Sequence, residues 1–332
     1  MGDQPTNEDD GSRVHGITAS TPGGLAFGMQ LPVQTLTRTL CDPWEDDATV
    51  ADLVTIAQRM EAAGLDFVGV CDHVALPDAD NTRHMTTTWY DTVATLSYLA
   101  AHTSRIHLAS TVFVVPYRHP LMTAKAWSTL DHLSGGRAIL GAGIGHVEAE
   151  FEALGVPYNH RGRLMDEALG AIAHAFDASH VSHTGDTWSW GEVGIAPAPT
   201  HAELRIWVAG GGEPAFRRVG QFGHGFLPFI NAHESYPHIV ETVHRWAAEA
   251  DRADTHFDIG IMSPWAFIGD APSDIGPHQL AGPPAAIAQE LRKERDLGAN
   301  TFHMKFRGRS LGEYLDQIDT FGAEVMPLVR EA

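Results

Sequence analysis

The sequence predicts an α/β protein of the (β/α)8 barrel class with a small insertion hairpin. Three observations carry that expectation. Short apolar runs of strand length recur about eight times along the 332 residues. A longer stretch with apolar residues at helical spacing follows nearly every one of them. Glycines close several of the helices and the turns between the elements. Short buried strands alternating with helices imply parallel pairing through helical crossovers. Eight repeats suit a closed barrel better than an open sheet, and such barrels exceed 200 residues as one domain. The domain is therefore expected to span 23–332, behind a disordered tail over 1–22.

The elements follow in order. Leu25–Leu31 reads as the first strand. Val50, Leu53, Val54, Ala57 and Met60 mark one face of a helix over Thr49–Ala63, stopped at Gly64. Asp66–Cys71 is a buried strand and Thr87–His102 a helix. Ile106–Val115 reads as one long β-branched strand, and Leu121–Leu133 as a helix ending at Gly135-Gly136. Ala138–Gly143 is a strand and Arg161–Phe176 a helix. His180–Thr200, rich in Trp, Gly and Pro, reads as an inserted hairpin. Leu204–Ala209 is a strand, with a helix from Pro214. Gly225–Phe229, Phe257–Phe267 and Thr301–Phe306 are the remaining strands. Tyr236–Ala250, Pro284–Leu297 and Leu311 to about Val329 are the remaining helices. Gly269–Pro283 reads as a flexible loop beside the active site.

Composition narrows the function. The formal net charge of −20 argues against nucleic acid and against an anionic membrane surface. Residues 1–22 lack the basic and apolar regions of a signal peptide, and no run reaches the length of a membrane span. Two cysteines, Cys41 and Cys71, make no disulfide framework. A cytoplasmic protein acting on a small organic molecule is the expectation.

In such barrels chemistry sits in the loops after the strands. Asp72-His73 follows the second strand, and a histidine there is a candidate proton carrier or a loop cap. Thr111 and Val112 lie near the mouth in the third strand. Gly143-Ile144-Gly145-His146 follows the fourth, where missing side chains let backbone approach a flat ring or phosphate. It is not the dinucleotide fingerprint, which needs a further spaced glycine. Glu148 and Glu150 are candidates for a second proton carrier or ordinary first-turn carboxylates. Ala209-Gly210-Gly211-Gly212 opens a helix and forms a candidate phosphate nest. His160-Arg161-Gly-Arg163 opens another helix, where arginine suits a phosphate or carboxylate; the alternative is a surface helix start with Arg163 paired to Asp166 or Glu167. No metal site is expected, because His-Glu-x-x-His and Cys-x-x-Cys are absent.

Taken together, several segments resemble one family. They are Ala62–Val74, Arg105–Pro120, Leu130–Gly145, Glu150–Pro157 and Ile206–Gly211. In that order they are similar to the bacterial luciferase-like monooxygenase superfamily, nearest its branch that uses the deazaflavin coenzyme F420. The resemblance is good from Leu25 to Phe229 and looser beyond. It implies a (β/α)8 barrel, F420 as cofactor with FMN as the alternative, and frequent homodimers. It implies that Asp72 and His73 border the cofactor ring and that His73 is the acid/base, with Glu148 as the second catalytic candidate. A non-proline cis peptide at Thr111-Val112 backs the ring in that family. Gly143, Ile144, Gly145 and His146 match the backbone beside the cofactor, and Ala209, Gly210 and Gly211 match its phosphate segment, with Arg161 nearby. There are departures. His146 stands where sugar-phosphate dehydrogenases of the family carry glutamate, and their substrate-binding lysines have no clear counterpart in Lys293 or Lys305. Trp89, Trp265, Phe113 and Phe229 point instead to an aromatic pocket. The implied activity is hydride transfer. The alternatives are an FMN-dependent two-component monooxygenase, a cofactor-binding barrel without turnover, and, least favoured, a metal-dependent hydrolase.

Overall fold

The computed structural model describes residues 16–77, 82, 84–200, 204–228 and 235–331. Eight parallel strands close into a barrel. They are β1 (Ala26–Gln30), β2 (Phe67–Val70), β3 (His107–Ser110), β4 (Ala138–Gly143), β5 (Arg205–Gly210), β6 (Gly225–Pro228), β7 (Asp258–Ile268) and β8 (Thr301–Phe306). Each pairs with the next, and β8 returns to β1 with Ala26 opposite Thr301. The β3–β4 and β6–β7 seams are the shortest, each with two residue pairs in register.

The helices form the outer layer: α1 (Val50–Ala62), α2 (Thr92–Ala100), α3 (Pro120–Ser134), α4 (Arg161–Asp177), α5 (Gly212–Phe222), α6 (Tyr236–Glu249), α7 (Pro284–Asp296) and α8 (Leu311–Thr320). None is long and apolar enough to cross a membrane among the described residues.

The two-residue strand period sorts side chains between two cores. In β8, Phe302, Met304 and Phe306 join the core between strands and helices. Thr301, His303 and Lys305 alternate with them and face the interior. There a smaller cluster is built around Phe67, Trp207 and Ile139. The Phe67 and Trp207 rings meet edge-on, centroids 5.1 Å apart. Glycines make room for both. A Cβ on Gly28 would lie 2.4 Å from Phe67 Cγ, and one on Gly225 would lie 2.3 Å from Trp207 Cδ1.

Several boundaries differ from the sequence expectation. The expected tail over 1–22 is ordered from Gly16 onward; residues 1–15 lie outside the described region. Ile17 is fully buried under the barrel, because Ile17 N and Thr18 N donate to Asp258 at 3.0 and 2.9 Å. The helix expected from Thr87 starts at Thr92, where the Asp91 side chain accepts from Ala94 N at 2.8 Å and caps it. The long third strand is interrupted at Thr111-Val112, whose peptide bond is cis, and resumes only over Phe113–Val114. The last helix breaks into a π-turn over Phe321–Val325 and a short helix over Met326–Arg330, with Pro327 in its first turn. The His180–Thr184 and Ser189–Gly194 strands form the expected antiparallel hairpin. Gly269–Pro283, expected as a flexible loop, carries a short strand, Leu280–Gly282, that extends β7. Phe229 lies outside the described residues.

Candidate functional site

His73 is held by a carboxylate that the fold buries completely. Its Nδ1 lies 2.9 Å from Glu150 Oε2, and the two side chains are 12% and 0% exposed. Glu150 comes from a short helix, Glu148–Ala153, after β4. Its Oε1 also accepts from Val74 N at 2.5 Å and Ala75 N at 3.1 Å, and its Oε2 accepts from Tyr117 Oη at 2.9 Å. Burial alone would raise the Glu150 carboxyl. The hydrogen bonds and charge of His73 and the two backbone donors outweigh it and hold the group below the ordinary carboxylate range. Burial and the adjacent Glu150 push the Tyr117 phenol up, so it stays a donor. An ionised acceptor at Nδ1 fixes that atom as the N–H donor. Nε2 is left as the atom that exchanges a proton.

Glu148, the expected second proton carrier, is not the partner of His73. It sits in the first turn of the same helix and is exposed. Two residues along a helix rotate a side chain by about 200°, so only one of the pair faces inward. Glu150 is that residue.

Asp72 is expected at the cofactor ring, but its carboxylate is spent elsewhere. Arg118 grips it through two bonds of 2.6 and 2.8 Å, and Val114 N donates to it at 2.8 Å. Arg118 also stacks on Phe113, 4.1 Å from the ring centroid. Asp72 therefore ties down the segment immediately after the cis bond. Cys71 works on the other side: its Sγ donates to Thr111 O at 3.2 Å. The side chain of Val112 fills the space opposite Gly143, where a Cβ would come within 2.4 Å of Val112 Cγ2. Thr111 Oγ1 is buried without a partner. Gly145 is at φ +76°, and a Cβ there would press within 2.7 Å of the Phe151 ring. Ile144 is partly buried against the outer core. The His146 ring lies 6.0 Å from His73, and Trp89 lies 4.4 Å from it on another side.

Across the mouth, the glycines after β5 open α5 at Gly212, two residues before the expected Pro214. Gly210 and Gly212 take φ +144° and +72°, and Gly211 faces open space. No side chain caps this helix, so its first N–H groups are free to meet an anion. Ala209 closes the interior cluster beneath them. Arg161 lies over Tyr158, 3.8 Å from the ring centroid, and its Nε is buried without a partner. Tyr158 Oη reaches the His146 carbonyl at 3.4 Å, linking Arg161 to the loop after β4. The expected pairing of Arg163 does not form; Asp166 binds Arg217 and Arg218 of α5 instead. No group of His, Cys, Asp and Glu suited to a metal occurs among the described residues.

Sequence reasoning places His73, the cis bond and the two glycine loops on one face of the barrel, and the structure brings them there. It does not assign Tyr117 and Arg118. Both stand in the quoted Pro116-Tyr-Arg-His-Pro120 run, but nothing in their spacing names a buried carboxylate far away in sequence as partner.

These features define a barrel oxidoreductase scaffold. The chain belongs to the luciferase-like monooxygenase family, whose profile matches residues 29–275. It is 29% identical over 180 residues to an F420-dependent glucose-6-phosphate dehydrogenase of Amycolatopsis mediterranei, covering 53% of this chain and 52% of that one. It is 26% identical over 222 residues to the 5,10-methylenetetrahydromethanopterin reductase of Methanolobus tindarius, covering 67% and 63%. Its fold matches the monooxygenase RslO1 from Streptomyces bottropensis with a TM-score of 0.74 at 18% identity, covering 91% of this chain and 99% of that one.

Proposed function

We propose that the protein is an F420-dependent oxidoreductase that moves hydride between the deazaflavin ring and a small organic substrate. The observation that carries the proposal is His73 locked by the buried Glu150 beside the Thr111-Val112 bulge. The residues fit the cofactor. The bulge and Gly143 offer backbone and a flat apolar wall. The uncapped start of α5 offers donors for a phosphate, and Thr111 Oγ1 and Arg161 Nε are buried polar atoms lacking partners. When bound, the deazaflavin supplies a two-electron hydride carrier. The chain's own part is to orient and to manage a proton. Glu150 and Tyr117 fix the His73 ring, and His73 Nε2 gives a proton to, or takes one from, the substrate oxygen. Trp89 and Val112 keep water from that side.

Relatives named for F420 support deazaflavin over flavin mononucleotide. A sugar phosphate is disfavoured as substrate, because two of the three lysines are engaged on the outer helices. Lys125 donates to the Ala196 carbonyl, and Lys293 pairs with Glu290 at 2.7 Å. Parallel titration of purified protein with F420 and FMN, each oxidised and reduced, tests the reading. Binding of F420 with little FMN binding is the expected result. Preference for reduced FMN would make the protein a monooxygenase instead, and binding of neither would remove the site.

A further inference from the structure

The deazaflavin reading uses the ends of β2 to β5. The opposite arc of the mouth, formed by β7, β8 and β1, holds a cation that the fold does not neutralise. Lys305 is the last inward-facing residue of β8 and lines a narrow cleft with Gln30, Leu31, Trp265, Phe306 and Tyr314. Among the described residues, the carboxylates around this cleft are already engaged. Asp42 binds Arg307 at 2.7 Å and Gly308 N at 3.0 Å. Glu45 also reaches the cleft, but it accepts from Val33 N and Asp42 N, both at 2.7 Å, and burial raises its carboxyl to about 7. The Cys71 thiol next to Lys305 is raised to about 12 by burial and supplies no thiolate. Arg307, the other cation here, lies flat on Trp265 at 3.6 Å and is neutralised by Asp42. Desolvation lowers the Lys305 ammonium, whose Nζ lies 5.8 Å from the centroid of the Trp265 ring. A half-buried cation without a counter-ion is costly unless an anion arrives with the ligand.

We infer that Lys305 anchors the carboxylate of an organic acid substrate, and that the part-exposed Trp265 receives the adjoining apolar part. The inference rests on the oxidoreductase reading only in calling this ligand the substrate. A lone lysine is a point charge, which suits a monoanionic carboxylate; a phosphate usually gathers several donors. The anchored group would hold the rest of the molecule across the mouth from His73.

The chain has only three lysines, which makes a direct test possible. Protein labelled at lysine with carbon-13 and nitrogen-15 gives three side-chain signals. Lys125→Arg and Lys293→Arg each remove one, so Lys305 is assigned without altering the site. Benzoate and benzamide are then titrated, with and without F420, while F420 binding is followed separately by its fluorescence. A saturable shift of the Lys305 signal with benzoate alone is expected, and Lys305→Gln should weaken benzoate binding about tenfold or more, the loss of one charge-assisted hydrogen bond. An unmoved Lys305 signal, or an equal response to benzamide, overturns the inference. If F420 fails to bind while benzoate still shifts Lys305, the anion site stands and the cofactor reading falls.

Discussion

The two ends of the barrel use buried carboxylates for opposite purposes. At the N-terminal end, Asp258 accepts from Ile17 N, Thr18 N, Thr18 Oγ1 and Trp207 Nε1 at 2.7–3.0 Å. All the groups that donate to it are backbone or fixed side chains; the histidine of this plug, His256, meets Thr18 Oγ1 at 2.7 Å and is not among the donors to the carboxylate. At the C-terminal end, Glu150 is equally buried and equally bonded, but one of its four donors is a histidine with a second nitrogen to spare. Burial and saturation alone therefore do not separate structure from chemistry. What separates them is whether the carboxylate itself holds a histidine at the mouth of the barrel, as Glu150 holds His73, or only backbone, hydroxyl and indole donors, as Asp258 does.

The sharpest break in that comparison is His73→Asn. It should lower turnover by about 100- to 10,000-fold, the range for a general acid or base. Unfolding by heat should change little, since the His73 ring is not part of either core. Steady-state kinetics beside a thermal scan checks both halves. An equal loss of stability would place His73 with Asp258 as a structural group.

Asp258→Ala should do the reverse. It strands four buried donors that cost about 1–3 kcal/mol each, so a loss of at least about 4 kcal/mol is expected. Urea unfolding measures that loss. Turnover below the new melting point should match the parent, because Asp258 lies at the first residue of β7, at the far end of the barrel.

This division was only partly legible in the sequence. The strand and helix pattern was, because period-two and helical spacing survive in β8 and α1 without knowledge of their neighbours. The glycine loops and the position of His73 were legible because they follow strands directly. The barrel-bottom plug was not. Residues 16–22 are polar and short and look like a tail; their order comes from Asp258, some 240 positions away in the chain. The choice of Glu150 over Glu148 was undetermined for a similar reason. Both precede an apolar residue in a short helix, and only the tertiary direction of that helix selects one. Lys305 is not legible as an anion anchor, since a lone lysine in a strand gives no sign that its neighbouring acids are already paired.

Glu150→Gln should have a smaller effect than loss of His73. A Gln amide that turns its NH2 toward Val74 N and Ala75 N sets donor against donor, and one that turns its NH2 toward His73 makes Nδ1 the acceptor and moves the ring proton to Nε2. The His73 ring then loses its fixed tautomer. Activity should fall roughly tenfold to hundredfold, as when a group orienting a functional histidine is lost. The Michaelis constant should move less than turnover. A pure stability loss with unchanged kinetics would show that Glu150 only fastens the loop after β2.

The smallest effects should come from two carboxyls, one near each end, that the fold shifts in opposite directions. Glu61, at the N-terminal end, accepts from Ser104 N, Arg105 N and Ile106 N. Burial opposes its charge, but those bonds lower it from 4.5 to about 2. Its folded value lies below the unfolded one, so its stabilisation is present above about pH 4.5 and is lost as pH falls toward 2. Glu45, at the C-terminal end, is raised by burial from 4.5 to about 7. The folded state there holds a proton that the unfolded chain has released, so stability falls as pH rises from 4.5 to 7. Melting curves across pH should therefore show Glu61→Gln losing ground to the parent above about pH 4.5. Glu45→Gln should gain on the parent as pH climbs toward 7. Slopes of the same sign for both variants would mean that the two ends do not differ in how they hold charge, and that the contrast between plug and site rests on His73 alone.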